Sequence, residues 1–103
     1  MNWKISFLEE AIEDFSNLDH SQQIEVAKAL DKVKQNHLPL QEGGYGKPLG
    51  GNLASCCKIK LKKSGIRIVY KIERLENEMI VIVIGFRRNL EVYKIAEERI
   101  KSD

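Results

Sequence analysis

The sequence predicts an α+β fold with one mostly antiparallel, four-stranded sheet, a helical hairpin before it and a helix after it. Three observations point there. Residues 56–72, CCKIKLKKSGIRIVYKI, alternate apolar and polar residues with one break at Ser64-Gly65, the pattern of two half-buried strands joined by a tight turn. Residues 79–84, MIVIVI, are continuously apolar and mostly β-branched, which suits a strand buried on both faces and placed inside the sheet. Between residues 9 and 36 the apolar period becomes helical. The expected order is β-α-α-β-β-β-α over one domain spanning residues 1–103.

Each element has a local cause. Trp3, Ile5 and Phe7 alternate with Asn2, Lys4 and Ser6, giving a first strand with one apolar face. From about Glu9, Ala11, Ile12, Phe15 and Leu18 fall on one helical face, with Glu9 and Glu10 suited to the dipole of a first turn. Asp19 and Gln22 have the spacing of a capping box, so a second helix runs from about His20 to Asn36 and ends before Pro39. Its inner stripe is Val26, Ala27, Leu30 and Val33.

Residues 39–53 hold five of the seven glycines and both prolines, and read as a connector. Gly44-Tyr45-Gly46 follows a helix rather than a strand, so it is no dinucleotide fingerprint, and Pro48 after Gly46-Lys47 rules out a Walker loop. A polar turn near Arg74–Glu78 precedes the apolar strand. The strand exits through Gly85-Phe86-Arg87-Arg88, and Asn89 can cap a last helix from about Leu90 to Lys101. Val92, Ile95, Ala96, Arg99 and Ile100 lie at helical spacing in it. The helices are expected on one side of the sheet, with a basic face partly open on the other.

Charge is polarised along the chain. Residues 1–42 carry eight acids and four bases, residues 43–103 thirteen bases and seven acids, and the formal net charge is +2. Residues 56–72 contain no Asp or Glu. With a two-residue turn at Ser64-Gly65, Lys62 lies opposite Arg67, Lys60 opposite Val69 and Lys58 opposite Lys71. Lys58, Lys60, Lys62, Arg67 and Lys71 then share one face. Like charges across a ladder destabilise it by about 0.2–1 kcal/mol each. Two readings are open at this point: a solvated strand face, or a face that receives an anion such as a polyphosphate backbone.

Other chemistries are poorly supplied. Cys56 and Cys57 point to opposite faces of a strand, so they do not pair with each other, and no Cys-x-x-Cys or nearby His suggests a metal site. Buried reduced thiols fit a reducing compartment. No apolar run has the length of a membrane span, and the N-terminus lacks the apolar core of a secretory signal, so the expected location is cytoplasmic, with no membrane partner. His20 and His37 flank the second helix in the acidic half, away from the basic hairpin. That leaves Lys, Arg and Tyr. Such a set binds a phosphodiester and can also cut one by 2′-hydroxyl attack. Guanidinium groups at Arg67 and Arg87 fork onto phosphate oxygens. Crowding by other cations favours the neutral form of a lysine, which suits Lys58 or Lys60 to the role of base. Tyr93, one residue past Val92, either stacks on a base or is an amphipathic rim residue.

The hairpin CCKIKLKKSGIRIVYKI, the apolar strand, Gly85-Phe86-Arg87-Arg88 and Glu91-Val92-Tyr93 together resemble the RelE toxins of bacterial toxin–antitoxin pairs. The preceding GKPLGGNL is similar to the loop that enters this hairpin in many relatives, and the element order matches over nearly the whole chain. The resemblance implies a RelE-like fold and a type II toxin that enters the ribosomal A site and cuts mRNA by 2′-hydroxyl attack, without a metal or other cofactor. It maps the functional residues onto Lys58, Lys60, Arg67, Arg87 and Tyr93: a lysine as base, the arginines on the phosphate, the tyrosine stacking on the cut nucleotide. Lys62, Lys63, Lys71 and Arg88 would bind RNA. The implied partners are the ribosome, mRNA and a RelB-like antitoxin lying on the basic face, with DNA reached only through the antitoxin complex. Cys57 departs from the aromatic residue many members carry there, and +2 is a modest charge for a ligand of ribosomal RNA. The same fold also resembles ParE toxins, which bind DNA gyrase and cleave nothing; under that reading the five residues are incidental.

Overall fold

The structure, a computed structural model, describes residues 4–35, 44, 46–86 and 91–102. In chain order it contains β1 (Lys4–Phe7), α1 (Glu9–Ser16), α2 (His20–Val33), β2 (Lys47–Pro48), a 3₁₀ turn at Gly51–Leu53, β3 (Cys56–Leu61), β4 (Ile66–Glu73), β5 (Glu78–Phe86) and α3 (Val92–Ser102). The strands form one five-stranded sheet in the order β1-β5-β4-β3-β2. β1 runs parallel to β5, and the other pairs are antiparallel.

The sheet is the expected one with an added fifth strand. β2 pairs Lys47 with Lys58 and Pro48 with Cys57. Two residues cannot show an alternation, and a proline, which lacks the N–H a ladder needs, is tolerated at a sheet edge. The capping box forms as the sequence predicts: the Asp19 carboxylate accepts from the Gln22 amide at 2.8 Å, and the Asp19 amide donates to the Gln22 side chain at 3.0 Å. α2 ends at Val33, short of the expected Asn36, which lies outside the described residues together with Trp3, Asn89 and Leu90.

Two apolar cores lie on opposite faces of the sheet. On one face Cys57, Ile66, Ile68, Tyr70, Ile72, Met79, Val81 and Ile84 pack against Ala11 of α1, Leu18 just after it, and Val26, Leu30 and Val33 of α2. On the other, Cys56, Val69, Ile82 and Val83 pack against Leu53, Val92 and Ala96. The helices therefore do not share one side. α1 and α2 take one face and α3 takes part of the basic one. Two residues of the expected inner stripes point outward: Ile12 is 55% exposed, and Ala27 is exposed on α2. Each lies at the margin of its apolar stripe, next to the buried Ala11 or Val26, where the helix surface turns toward solvent.

β5 carries a bulge. Its register with β4 jumps from Val69↔Val83 to Tyr70↔Val81, leaving Ile82 as the extra residue. Val83 and Gly85 thereby face α3 while Val81 and Ile84 face the helical hairpin. Cys56 and Cys57 divide between the two cores, each 1% exposed, and no disulfide joins them.

Candidate active site

The basic hairpin forms with a longer turn than the sequence suggested. The ladder runs from Cys56↔Lys71 through Lys58↔Val69 and Lys60↔Arg67 to Leu61↔Ile66. Lys62, Lys63, Ser64 and Gly65 make a four-residue turn, closed by the Gly65 amide donating to the Leu61 carbonyl at 2.9 Å. Gly65 sits at φ +76°, which only glycine reaches without strain. The expected pairs of Lys62 with Arg67, Lys60 with Val69 and Lys58 with Lys71 are thus each displaced by two residues. A two-residue slip preserves strand parity, so Lys58, Lys60, Arg67 and Lys71 still share a face.

Those residues separate along the hairpin. Lys60 and Arg67 are direct cross-strand neighbours. Lys58 lies next along β3, toward α3. Lys71 sits at the far end, opposite Cys56, and Lys62 and Lys63 are exposed in the turn. Lys62 joins Lys60 and Arg67 around a shallow cleft of about 270 Å³, floored by Leu61, Gly65 and Ile66. Lys63 turns toward the helical side and lines a hollow with Ser21, Ile24 and Lys28 of α2.

Tyr93 is brought to this cluster by α3. The Arg67 Nη1 donates to the Tyr93 hydroxyl at 2.9 Å. The Lys58 ammonium lies 5.6 Å from the Tyr93 ring centroid and the Arg67 guanidinium carbon 5.9 Å from it, both within cation–π range. The placement depends on Gly85, which pairs with Arg67 on β5. A Cβ at position 85 would lie 2.7 Å from the Val92 Cγ2, so the missing side chain lets α3 settle against β5 with Tyr93 beside Arg67. Sequence reasoning gave Tyr93 as a candidate but missed Gly85. Its one signal was an isolated glycine at the end of an apolar strand.

The structure thus brings together Lys58, Lys60, Arg67 and Tyr93. Arg87 and Arg88 lie outside the described residues. A second hollow, also about 270 Å³, opens on the β2 side of β3, where Lys32 and Lys47 join Lys58, Lys60 and Lys62. Neither Lys32 nor Lys47 was a sequence candidate, because each reaches the groove through an element or pairing that carries no charge pattern.

Two titratable groups are buried in the sheet and held in their neutral forms. Burial pushes the Cys56 thiol up, despite the hydrogen bond from Ser55 and the charge of Lys71. Burial also pushes the Tyr70 hydroxyl far up, and the neighbouring Cys57 adds to the effect. A thiol and a phenol held protonated in the core provide neither nucleophile nor base. Among the described residues, no group of three or more His, Cys, Asp or Glu converges as a metal site, and no helix is long and apolar enough to cross a membrane.

Comparison with known proteins places the chain among relatives of its whole length. No protein-family model matches the chain. It is 33% identical over 102 residues to a RelE-like protein of Escherichia coli, covering 98% of this chain and 100% of the relative. It is 30% identical over 100 residues to the mRNA interferase toxin RelE of Escherichia coli K12, covering 97% and 99%. Among solved structures, a variant of the Escherichia coli toxin RelE in the free state superposes with a TM-score of 0.81 at 29% identity, over 97% of this chain and 99% of that one. A RelE variant bound to a peptide of the antitoxin RelB gives 0.73 at 28% identity, over 93% and 95%. With this sheet, this basic hairpin and relatives that match from end to end, the chain belongs to the RelE family, the toxins of toxin–antitoxin systems.

Proposed function

We propose that this toxin is a ribosome-dependent endoribonuclease that cuts mRNA in the A site by 2′-hydroxyl attack, without a metal or other cofactor, and so stops translation. The observation that carries the reading is the contact of Arg67 with Tyr93, with Lys58 against the same ring and Lys60 across the ladder. The relative named mRNA interferase toxin RelE supports it.

The residues divide the work by their chemistry. Lys58 or Lys60 takes the proton of the 2′-hydroxyl as its oxygen bonds to phosphorus. The bond from phosphorus to the 5′ oxygen breaks, leaving a 2′,3′-cyclic phosphate and a 5′-hydroxyl whose proton comes from the protonated lysine or from water. Arg67 stabilises the charge that develops on the phosphate, since a guanidinium stays charged and offers paired donors. Arg87, by its place after Gly85, is assigned the same task. Tyr93, its hydroxyl held by Arg67, presents its ring to the nucleotide at the cut. Lys62, Lys63, Lys71 and Arg88 would hold neighbouring phosphates. The chain would act as one domain in the cytoplasm, where its ribosomal substrate is. A RelB-like antitoxin would neutralise it, as supported by RelE structures solved with RelB, and DNA would be reached only through that complex.

The test is cleavage of a defined mRNA on purified ribosomes, read by primer extension, for wild type and Arg67→Ala. Wild type should cut within the A-site codon. The variant should cut about 10²–10³-fold more slowly while ribosome binding is nearly kept, the expected loss for one donor to a developing anion. Intact mRNA with gyrase-dependent DNA damage would overturn the reading.

A further inference from the structure

Outside the basic cluster, a many-membered polar contact lies toward the β1 edge of the sheet. The Arg99 Nη1 donates to the Asp14 Oδ2 at 2.7 Å and to the Ile82 carbonyl at 2.9 Å, and its Nη2 donates to the Asp14 Oδ1 at 3.3 Å. The Asp14 Oδ2 also accepts from the Ile84 amide at 3.0 Å. Both side chains are largely covered, 17% and 20% exposed. β1 pairs with β5 only as far as Phe7↔Val81. Past that point the β1-side edge of β5 presents the Ile82 carbonyl and the Ile84 amide, and these two groups receive the pair. One arginine and one aspartate therefore tie α1, β5 and α3 together at the bulge.

We infer that Asp14 and Arg99 are positioning residues for Tyr93, acting through the seat of α3. The inference rests on the catalytic reading of Tyr93 given above. Val92, Ala96 and Arg99 lie on one helical stripe, and that stripe faces β5. Val92 meets Gly85, and seven residues later Arg99 meets Ile82. Seven helical residues rise about 10 Å, and three strand residues span about the same length. The helix therefore lies back along β5, pinned at both ends of one stripe. Between the pins the fully buried contact is the small Ala96, with Ile95 only partly buried against the same core, so apolar packing by itself holds the roll loosely. Two pins fix the roll and the tilt; one does not. Tyr93 projects about 100° around the axis from Val92, so a roll of α3 moves it directly off Arg67.

The test uses the whole chain with Arg99→Met, which keeps most of the stem and removes the fork, and independently Asp14→Asn. There are three tyrosines, and Tyr70 in the opposite core serves as an internal reference when tyrosine rings are isotope-labelled for NMR. In both variants the Tyr93 ring signal should move while that of Tyr70 stays. Single-turnover cleavage should fall about 10–100-fold with ribosome affinity nearly unchanged, the sensitivity expected when a reacting group is misplaced by about 1 Å. An unmoved Tyr93 signal in both variants overturns the inference. So does a Tyr70 signal that moves with it, which marks general loosening. The NMR result stands even if the wild-type protein leaves mRNA intact, so a failure of the catalytic reading and a failure of the positioning reading are told apart.

Discussion

The two faces of the central hairpin come from the same backbone and end as different surfaces. Toward α1 and α2, β3 and β4 present Cys57, Ile66, Ile68, Tyr70 and Ile72, none more than 9% exposed. Toward α3 the same strands bury only Cys56 and Val69, and then present Lys58, Lys60 and Arg67. The cause is the amount of helix available. Among the described residues, two helices cover the first face, while α3 and the turn at Leu53 cover the second, and the first turn of α3 marks where that core stops. Tyr93 stands on that border, half-buried against the core with its hydroxyl on Arg67. The basic cluster lies where burial gives out, on strands whose opposite face is packed against α1 and α2.

Breaking one face at a time separates their contributions. The largest effect on stability is expected from Ile68→Ala, at a fully buried site on the helical face. It should cost about 2–5 kcal/mol in urea unfolding and leave the rate per folded molecule unchanged. Arg67→Ala, on the next residue and the other face, should reverse this, with a stability change under about 1 kcal/mol and the cleavage loss given above. Gly85→Ala falls between them. Its Cβ meets Val92, so overpacking of about 1–3 kcal/mol is expected in the smaller core, and α3 is pushed outward. Cleavage should fall in this variant more than its melting temperature would explain.

The smallest effect comes from the cap on the helical side. Hydrogen bonds from the Gln22 amide and the Ser21 hydroxyl hold the Asp19 carboxyl below its ordinary value of 3.8. A carboxyl lowered in the folded state contributes stability above its unfolded value, and that contribution is lost as pH falls through the folded one. Thermal melts should therefore show Asp19→Ala below wild type near neutrality, with the gap closing under strongly acid conditions.

The two faces also differ in how far they could be read beforehand. The alternation of residues 56–72 fixed which side chains share a face, because a strand has period two and a two-residue slip in the turn leaves parity intact. Turn length was not readable, since Lys62 and Lys63 suit the end of a strand and a loop equally. The stripe Val92, Ala96 and Arg99 announced that α3 packs on something, but not on which face; that depends on Gly85 and on the bulge at Ile82, both set by tertiary pairing. β2 is too short for any periodicity. The pairing of Asp14 with Arg99 joins residues 85 apart in the chain, and no local pattern marks either one. Lys58, Lys60, Arg67 and Tyr93 were found because a strand and a helix with clear periods carry them.

The central claim is that Arg67 and Tyr93 act as one unit, and a double-mutant cycle on the single-turnover cleavage rate measures that directly. Arg67→Ala, Tyr93→Phe and the double variant are compared with wild type on ribosome-bound mRNA. If the 2.9 Å contact is part of the reacting arrangement, the double variant will be little slower than the slower single one. Losses that multiply across the two substitutions would mean that the residues work independently, and would contradict the account.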